Sequence, residues 1–438
     1  MTWFRAVQNT LTFLVVATLL EKNAKLVQIA KSEPQAAYTA FTSGFKHKMT
    51  YYIRTIPNIV SNLKVFDEKI NSDFIPAITE GHQCTPTERH LISLPVRLGG
   101  LGIPIFSEGC ESEFNNSLLM TKQLTENIKR QIPEYNIDRQ QEKQIEQTIK
   151  KERREKQEKM LKEIRKSLTK EELRANDLAQ MKGASAWLNA LPLEAEDYSL
   201  PKRIFFDGIN NRYCWDLKRL PLNCVCGVKF TTEHAMQCTN GGFIHKRHDR
   251  IRDALAKLLN EVAYDVRVEP PLEPLSGESL ISTASTKDEA RLDIAARGFW
   301  QDGAMAFFDV RVFNPFAKTH IKSKLSTVFE KNETEKKTKY NQRVIDVEHG
   351  SFTPIVLSAY GGCSRETERF LSNLILKISE KRDVPQSVIA NYIRTKISFI
   401  LVRAQGLCIR GSRKPWGMPK MDIQEAEVVQ CEGRIREE

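Results

Sequence analysis

Arg291-Leu292-Asp293-Ile294-Ala295-Ala296 and Ala306-Phe307-Phe308-Asp309-Val310-Arg311-Val312-Phe313 are two apolar stretches, each carrying one aspartate, joined by a turn between Gly298 and Gly303. In the second, Asp309 and Arg311 alternate with Phe308, Val310 and Val312, the period-two pattern of a strand with one packed face. Adjacent strands are therefore predicted over 291–296 and 306–313, with Asp309 and Arg311 sharing a face. Two carboxylates converging near neighbouring strand ends suit magnesium, which takes oxygen ligands and keeps waters. One such water can attack a phosphodiester while the ion neutralises the charge growing on the phosphate oxygens. Single aspartates at strand ends are also common caps, and the D-x15-D-x-R spacing is not specific by itself.

Outward from this pair the pattern stays regular. A helix is predicted over 248–262, with Ile251, Leu255, Leu258 and Leu259 on one face, followed by a strand over 264–269. Beyond the acid-bearing strands come a polar helix over 326–346 and a strand over 353–359 closed by Gly361-Gly362. Helices over 366–381 and 386–405 complete the unit, which spans 247–415. The order helix, three strands, helix, strand implies an α/β (α+β) unit, a mixed sheet flanked by helices.

Just upstream, a segment over 183–246 carries Trp187, Phe205, Phe206, Tyr213 and Trp215 and leads into Cys224-Val225-Cys226-Gly227 and Thr231-Thr232-Glu233-His234-Ala235-Met236-Gln237-Cys238. Four soft ligands within fifteen residues suggest zinc. The threonines can cap a short helix, placing His234 and Cys238 four apart and on one face. Cys224 and Cys226 stand two apart and share an ion only if the backbone turns, with Gly227 the candidate for that turn. Buried free thiols are the bland alternative, and Cys214 or His245 are available as substitute ligands.

Residues 126–182 are predicted as a charged connector helix. From Lys151 to Lys170 nine residues are basic and four acidic, with only Met160, Leu161, Ile164 and Leu168 as an apolar stripe. A solvated helix with i,i+4 ion pairs fits this composition, and a nucleic-acid contact is the sharper alternative.

Residues 1–125 form a helical region. Ser32 before Pro34 reads as a capped helix start. Lys46, His47, Lys48, Tyr51, Tyr52 and Arg54 interleave cations with aromatics, as a groove that stacks bases and clamps phosphates would. An ordinary amphipathic helix gives the same pattern. Leu94 to Pro104 is glycine-rich but lacks the Lys-Ser/Thr of a phosphate-binding loop, so a tight turn is expected. The run from Leu11 to Leu20 is about half the ~20 residues that span a bilayer, and no small-x-small cleavage site comes after it. A buried helix is expected there, with neither secretion nor membrane insertion.

The chain is 438 residues long, enough for two or three folded units, and 41% hydrophobic against 28% charged residues argue against wholesale disorder. Sixty-six Lys+Arg against 55 Asp+Glu give a formal charge of +11, which favours a polyanionic partner. Nine scattered cysteines do not form the pattern of a secreted disulfide scaffold.

Several linked motifs, in order, carry a family resemblance. They are the Cys-Cys-His-Cys knuckle, Arg247-His248, Arg291-Leu292-Asp293, the run Phe308-Asp309-Val310-Arg311-Val312-Phe313-Asn314-Pro315, Val347-Glu348-His349-Gly350-Ser351-Phe352, and Cys408-Ile409-Arg410-Gly411-Ser412-Arg413. Together they resemble the C-terminal region of non-LTR (LINE-type) retrotransposon proteins with a restriction-like endonuclease, in particular the Hero-type branch. Residues 31–105, with Glu88-Arg89-His90 before the glycine-rich stretch, are similar to the end of the reverse transcriptase of the same proteins, the thumb and the segment after it. The resemblance covers about three-quarters of the chain.

The resemblance implies a PD-(D/E)XK nuclease fold that nicks target DNA, leaving a 3′-hydroxyl that primes reverse transcription. Asp293 then matches the PD aspartate and Asp309 the (D/E) position, together holding Mg2+. Arg311 stands where many relatives of the wider superfamily have lysine. A guanidinium cannot act as a base but binds phosphate bidentately. The lysine is then sought on the following helix, where Lys336, Tyr340 and Arg343 fall on one face, with Lys337 the close competitor. Arg247, His248 and Arg343 become candidate nucleic-acid contacts, beside Lys46, Lys48, Tyr51 and Arg54. Zinc is the expected structural metal, DNA the partner, element RNA a further candidate, and the nucleus the expected compartment; oligomeric state is left open.

Departures matter equally. No Asp-Asp pair occurs, so the polymerase's metal-binding Tyr/Phe-x-Asp-Asp motif is missing, and palm and fingers do not fit before residue 31. The first thirty residues match nothing in the family, and residues 416–438 read as a tail. The chain thus reads as the terminal fragment of an element, either a degenerate copy or a late-starting gene model. Three expectations compete: a metal-dependent DNA endonuclease without polymerase activity, a nucleic-acid-binding relic without catalysis, or a zinc-dependent adaptor whose charged helix binds proteins.

Overall fold

The computed structural model describes residues 2–132, 139–272 and 291–413, with the side chains of residues 2–14 outside the description. The expected tail over 416–438 also lies outside the described residues. Helix α1 (Thr2–Ser32) and helix α2 (Pro34–Ala40) meet at Glu33, with Pro34 in the first turn as expected. Ser32 does not cap α2. Its hydroxyl donates back to the Ile29 carbonyl at 3.2 Å and so helps close α1 instead. The apolar run expected as a buried helix lies in α1, with Val16 and Leu19 buried, and no helix among the described residues is long and apolar enough to cross a membrane.

Helices α3 (Lys46–Thr55), α4 (Val60–Lys69), α5 (Ile75–Ile78), α6 (Pro86–Ser93) and α7 (Phe106–Lys129) gather around Phe41, Phe45, Phe66 and Phe74. The glycine-rich stretch is a turn. Gly99 adopts a left-handed conformation (φ +88°), and a Cβ on Gly100 would collide with the Leu94 carbonyl. Arg89 pins this turn from within, donating to the carbonyls of Ile103 and Pro104, each at 2.9 Å.

The charged stretch is not one helix. Helix α8 (Arg139–Arg165) stops, and Thr169 starts α9 (Lys170–Gln180) through a reciprocal capping box with Glu172. The Thr-x-x-Glu signature outweighs the helix propensity of the flanking lysines. In α8 only Leu161 and Ile164 are buried, and the solvated remainder carries i,i+4 pairs such as Lys150–Glu146. Helix α10 (Lys202–Arg212) brings Phe205, Phe206 and Ile209 into the same core as α1 to α6, joined by Trp187, Tyr213 and Trp215.

Four strands form one sheet: β1 (Tyr264–Val268), β2 (Ile294–Arg297), β3 (Met305–Phe313) and β4 (Ser351–Ser358), in that spatial order. The first two pairings are antiparallel and the last is parallel, as a helical crossover between β3 and β4 requires. After the short α11 (Thr232–Ala235) come α12 (Phe243–Leu259), leading into β1, α13 (Leu325–Asp346), which makes that crossover, and α14 (Arg365–Arg382) and α15 (Gln386–Arg410), which follow β4. The predicted sequence of elements is thus observed, as a mixed sheet between helices.

Alternation along β3 sorts the two faces. Phe308 and Val310 pack with Ile251 and Leu255 of α12, Phe370 of α14 and Ile393 of α15. Phe307 points the other way, toward Tyr340 and Val344 of α13, and Phe313 meets Val328 and Phe329. Phe308 is fully buried, so truncating it to alanine costs about 3–5 kcal/mol. Asp309 and Arg311, odd-numbered like Phe307 and Phe313, are thereby directed to the α13 side. Helix α15 serves both bodies. Ile389, Ile393 and Leu401 join the sheet core, while Phe399 and Val402 join the N-terminal helical core.

Candidate active site and metal cluster

The register Ile294↔Phe308 makes Asp293 and Asp309 the next pair outward, at the point where β2 leaves the ladder. Asp293 ends the pairing with its own side chain: its Oδ2 accepts the Val310 amide at 2.5 Å and lies 3.1 Å from His248 Nε2 of α12. Asp309 is 4% exposed, and Lys336 Nζ stands 2.6 Å from its Oδ2. The ammonium approaches off the hydrogen-bonding direction, so that oxygen has charge compensation but no aligned donor. Burial is the main influence on the Asp309 carboxyl and raises its pKa; Asp293 adds to the rise, against Lys336 and His248. A buried carboxylate oxygen without an aligned donor fits a cation-binding role.

His248 is held on both nitrogens, with Asp249 Oδ1 3.2 Å from Nδ1. Burial alone would lower its pKa, but the Asp293 and Asp249 carboxylates outweigh that and raise it. The expected nucleic-acid contact is therefore, in this structure, the partner of Asp293. The usable signal was its place just before Asp249 on a helix that packs on the sheet.

The two competing lysines separate cleanly. Lys336 faces Asp309, whereas Lys337 reaches Glu366 of α14 at 2.9 Å. Tyr340, one turn on, is a core residue whose ring lies 5.8 Å from Phe352 and carries Lys336 and Lys339 over its face. Arg311 is half-buried on the Asp309 side of β3, and Arg343 is half-buried a further turn along α13. Arg247 does not reach the surface. It is 4% exposed, and its guanidinium donates to the Met236 carbonyl at 3.2 Å and the Val312 carbonyl at 3.1 Å. The surface role expected of Arg247 is corrected accordingly: it ties the knuckle to β3.

Cys224, Cys226, His234 and Cys238 bring their ligand atoms within 4.8 Å of one another. The backbone does turn between the first two cysteines. Gly227 takes φ +86°, its amide bonds the Cys224 carbonyl at 2.9 Å, and Asn223 bridges to Lys229 across the turn. Thr231 caps α11 by accepting the His234 amide at 3.1 Å, and the Cys238 amide returns to the His234 carbonyl at 2.8 Å. The sulfurs of Cys224 and Cys238 lie 3.7 Å apart, and Cys226 Sγ lies 3.3 Å from His234 Nε2. A tetrahedral zinc with ~2.3 Å bonds to sulfur needs an S–S edge of about 3.8 Å, so the donor set fits. Burial opposes charge on Cys224, but hydrogen bonds from the Cys226 amide and from His234, Cys226 and Cys238 outweigh it and bring its thiol down to about 6. Neither Cys214 nor His245 belongs to the cluster.

On α3, Lys48, Tyr51 and Arg54 are exposed and Lys46 is half-buried. Arg54 is engaged by Glu113 at 3.0 Å, a carboxylate that also takes Arg153. Lys46 and Arg54 line a groove of about 760 Å3 with Arg153 and Lys156 of α8, while Lys48 and Tyr51 lie outside that lining. Burial lowers the pKa of Lys46.

Comparison with protein-family models and with curated proteins gives no match for this chain.

Proposed function

We propose that this chain is a metal-dependent DNA endonuclease, the target-nicking portion of a non-LTR retrotransposon protein, with its sheet arranged as a PD-(D/E)XK nuclease. The observation that carries the reading is Lys336 Nζ at 2.6 Å from buried Asp309, next to Asp293 just before the neighbouring strand. Asp293 and Asp309 would hold Mg2+, which when bound supplies Lewis-acid polarisation of a phosphate oxygen and a water of lowered pKa. His248 and the Val310 amide fix the Asp293 carboxylate in place. Lys336 orients the attacking water by donating a hydrogen bond and opposes the charge growing on the phosphate. Arg311, on the same face, binds the scissile phosphate as a permanent cation. The Cys3His cluster takes structural Zn2+, and the expected compartment is the nucleus, with DNA the substrate and element RNA a further candidate.

A second reading, a nucleic-acid-binding relic without catalysis, is supported by the same ion pair, because Lys336 supplies Asp309 with a counter-charge in the absence of any metal. Purified chain incubated with supercoiled plasmid and magnesium separates the two. Magnesium-dependent nicking that disappears in Asp309→Asn supports the nuclease. Salt-dependent DNA binding with no nicking by the parent supports the relic.

A further inference from the structure

The loop joining β3 to α13, residues 314–324, carries Lys318, Lys322 and Lys324, all exposed. None of the three has an acidic partner among the described residues. Surface lysines of that kind are ordinary on a flexible loop. This loop is held from three sides. Arg174 of α9, itself 7% exposed, donates to the carbonyls of Pro315 at 3.1 Å and Ile321 at 3.4 Å and also to that of Ser323. From the Cys/His knuckle, Glu233 accepts the Lys318 amide at 3.2 Å, and its carbonyl takes Asn314 Nδ2 at 3.4 Å. From the sheet, Phe313 meets the His320 ring edge-on at 5.7 Å, and Tyr360 meets Phe316 at 4.8 Å.

The loop begins five residues after Asp309, at the end of β3, and leads into the helix that carries Lys336. Arg311 is two residues from Asp309 on the same side of β3, and Lys331 is five residues before Lys336 on α13. Burial and the positive charges of Lys331, Arg311 and Arg174 lower the pKa of His320, with Glu335 the opposing acid. Arg311 and Lys331 are thus close enough to His320, in the middle of the loop, to rim it with positive charge. The exposed large hydrophobic residues of the chain are all elsewhere, with none between 269 and 344 among the described residues. A rim with charge but no apolar anchor suits a phosphate backbone rather than a protein partner, whose interfaces are centred on buried aromatic or aliphatic anchors.

We propose that Lys318, Lys322 and Lys324, flanked by Arg311 and Lys331, form a preset lip that tracks the phosphate backbone of duplex DNA beside the Asp309 site. The inference rests on the nuclease reading for its choice of polyanion and deepens it by naming the surface that presents the duplex. Because Arg174 and Glu233 already hold the loop, its backbone is in place before DNA arrives.

The test uses the full chain and a labelled blunt-ended DNA duplex of random sequence, with binding followed by anisotropy across a potassium chloride series. Each phosphate contact contributes about 0.9 to the slope of log affinity against log salt. The combined variant K318S/K322S/K324S should lose about 2–3 from that slope and bind at least about tenfold more weakly at low salt. The matching arginine triple, K318R/K322R/K324R, should keep the slope. Removing two exposed cations elsewhere, K159S/K162S on α8, should leave the slope close to the parent's. A serine triple with the parent's slope, a parent that does not bind the duplex, or an equal loss in the α8 variant overturns the lip. Plasmid nicking on the same proteins separates the two readings. A parent that binds with the expected slope but never nicks leaves the lip standing and removes the nuclease. A parent that nicks while the serine triple keeps the full slope does the reverse.

Discussion

Lys336 and Lys337 are consecutive on α13, yet the first reaches Asp309 at 2.6 Å and the second reaches Glu366 at 2.9 Å. The ~100° between successive residues of a helix turns one ammonium under the sheet and the other toward α14. Lys336→Ala is therefore expected to slow nicking by about 10²-fold or more, the usual effect of deleting one preorganised donor. Lys337→Ala should change it by less than about threefold, and parallel rates in a plasmid assay check both. Equal losses in the two variants would remove Lys336 from its role.

Asp309 has a cost in the metal-free protein. Its carboxyl is pushed up, chiefly by burial and further by Asp293, against the lowering influence of Lys336, so ionising it in the fold carries a cost. A raised carboxyl stabilises the fold while protonated and loses that contribution as pH climbs through its folded value. At neutral pH in chelator, Asp309→Asn should consequently melt at a higher temperature than the parent. It should also lack the magnesium-dependent rise in melting temperature expected of the parent. A lower melting temperature for Asp309→Asn in chelator would contradict this.

His248 gives a pH dependence of defined sign. Although burial pulls its pKa down, the carboxylates of Asp293 and Asp249 raise it above the ordinary 6.5. Its stabilising contribution is fully present below pH 6.5 and declines as pH rises through the folded value. His248→Gln should thus lower the melting temperature of the metal-free chain more at about pH 6 than at about pH 8. A loss independent of pH would show that the imidazole acts by packing alone.

The Cys3His cluster should hold about one zinc per chain by elemental analysis. His234→Ala should reduce that content and make residues 220–245 more sensitive to protease, and unchanged zinc in the variant would take His234 out of the site. Because thiolates bind metal and thiols do not, protons compete with zinc for the cluster, and zinc content should fall as the solution is acidified.

No template-directed DNA synthesis is expected on a primed RNA template, since no Asp-Asp pair is present to hold polymerase metals. Magnesium-dependent primer extension copurifying with the chain would overturn this expectation.

Much of the sheet region was legible because alternation and helical phase are local. The strands at 264–268 and 305–313 and the helix at 325–346 fall within a residue or so of their sequence expectations. The position of Lys336 under the sheet and the meeting of the four knuckle ligands come from spacing of the same kind. What escaped depends on distant partners. Arg247 looks like a surface cation until Met236 and Val312 present their carbonyls to it. His248 needed the end of β2 to bring Asp293 within reach. The break in the charged stretch was signalled by Thr169 and Glu172, a short capping motif submerged among lysines. Nothing near Trp187 or Phe205 announces that they share a core with Phe41 and Phe74, because side-chain chemistry there is uniformly apolar.

Phe399 and Val402 of α15 complete a core otherwise built largely from residues 19–110, and the Phe399 ring stacks on Tyr198 at 4.9 Å. On a ribosome, those early helices emerge about 290 residues ahead of the side chains that close them. At ordinary elongation rates the interval is roughly 15–60 s, far longer than the microseconds in which helices form. Once made, Tyr198 has no stacking partner until Phe399 arrives. The N-terminal helices can gather early, but they lock only when α15 arrives, so the nascent chain is finished from its far side back toward its start.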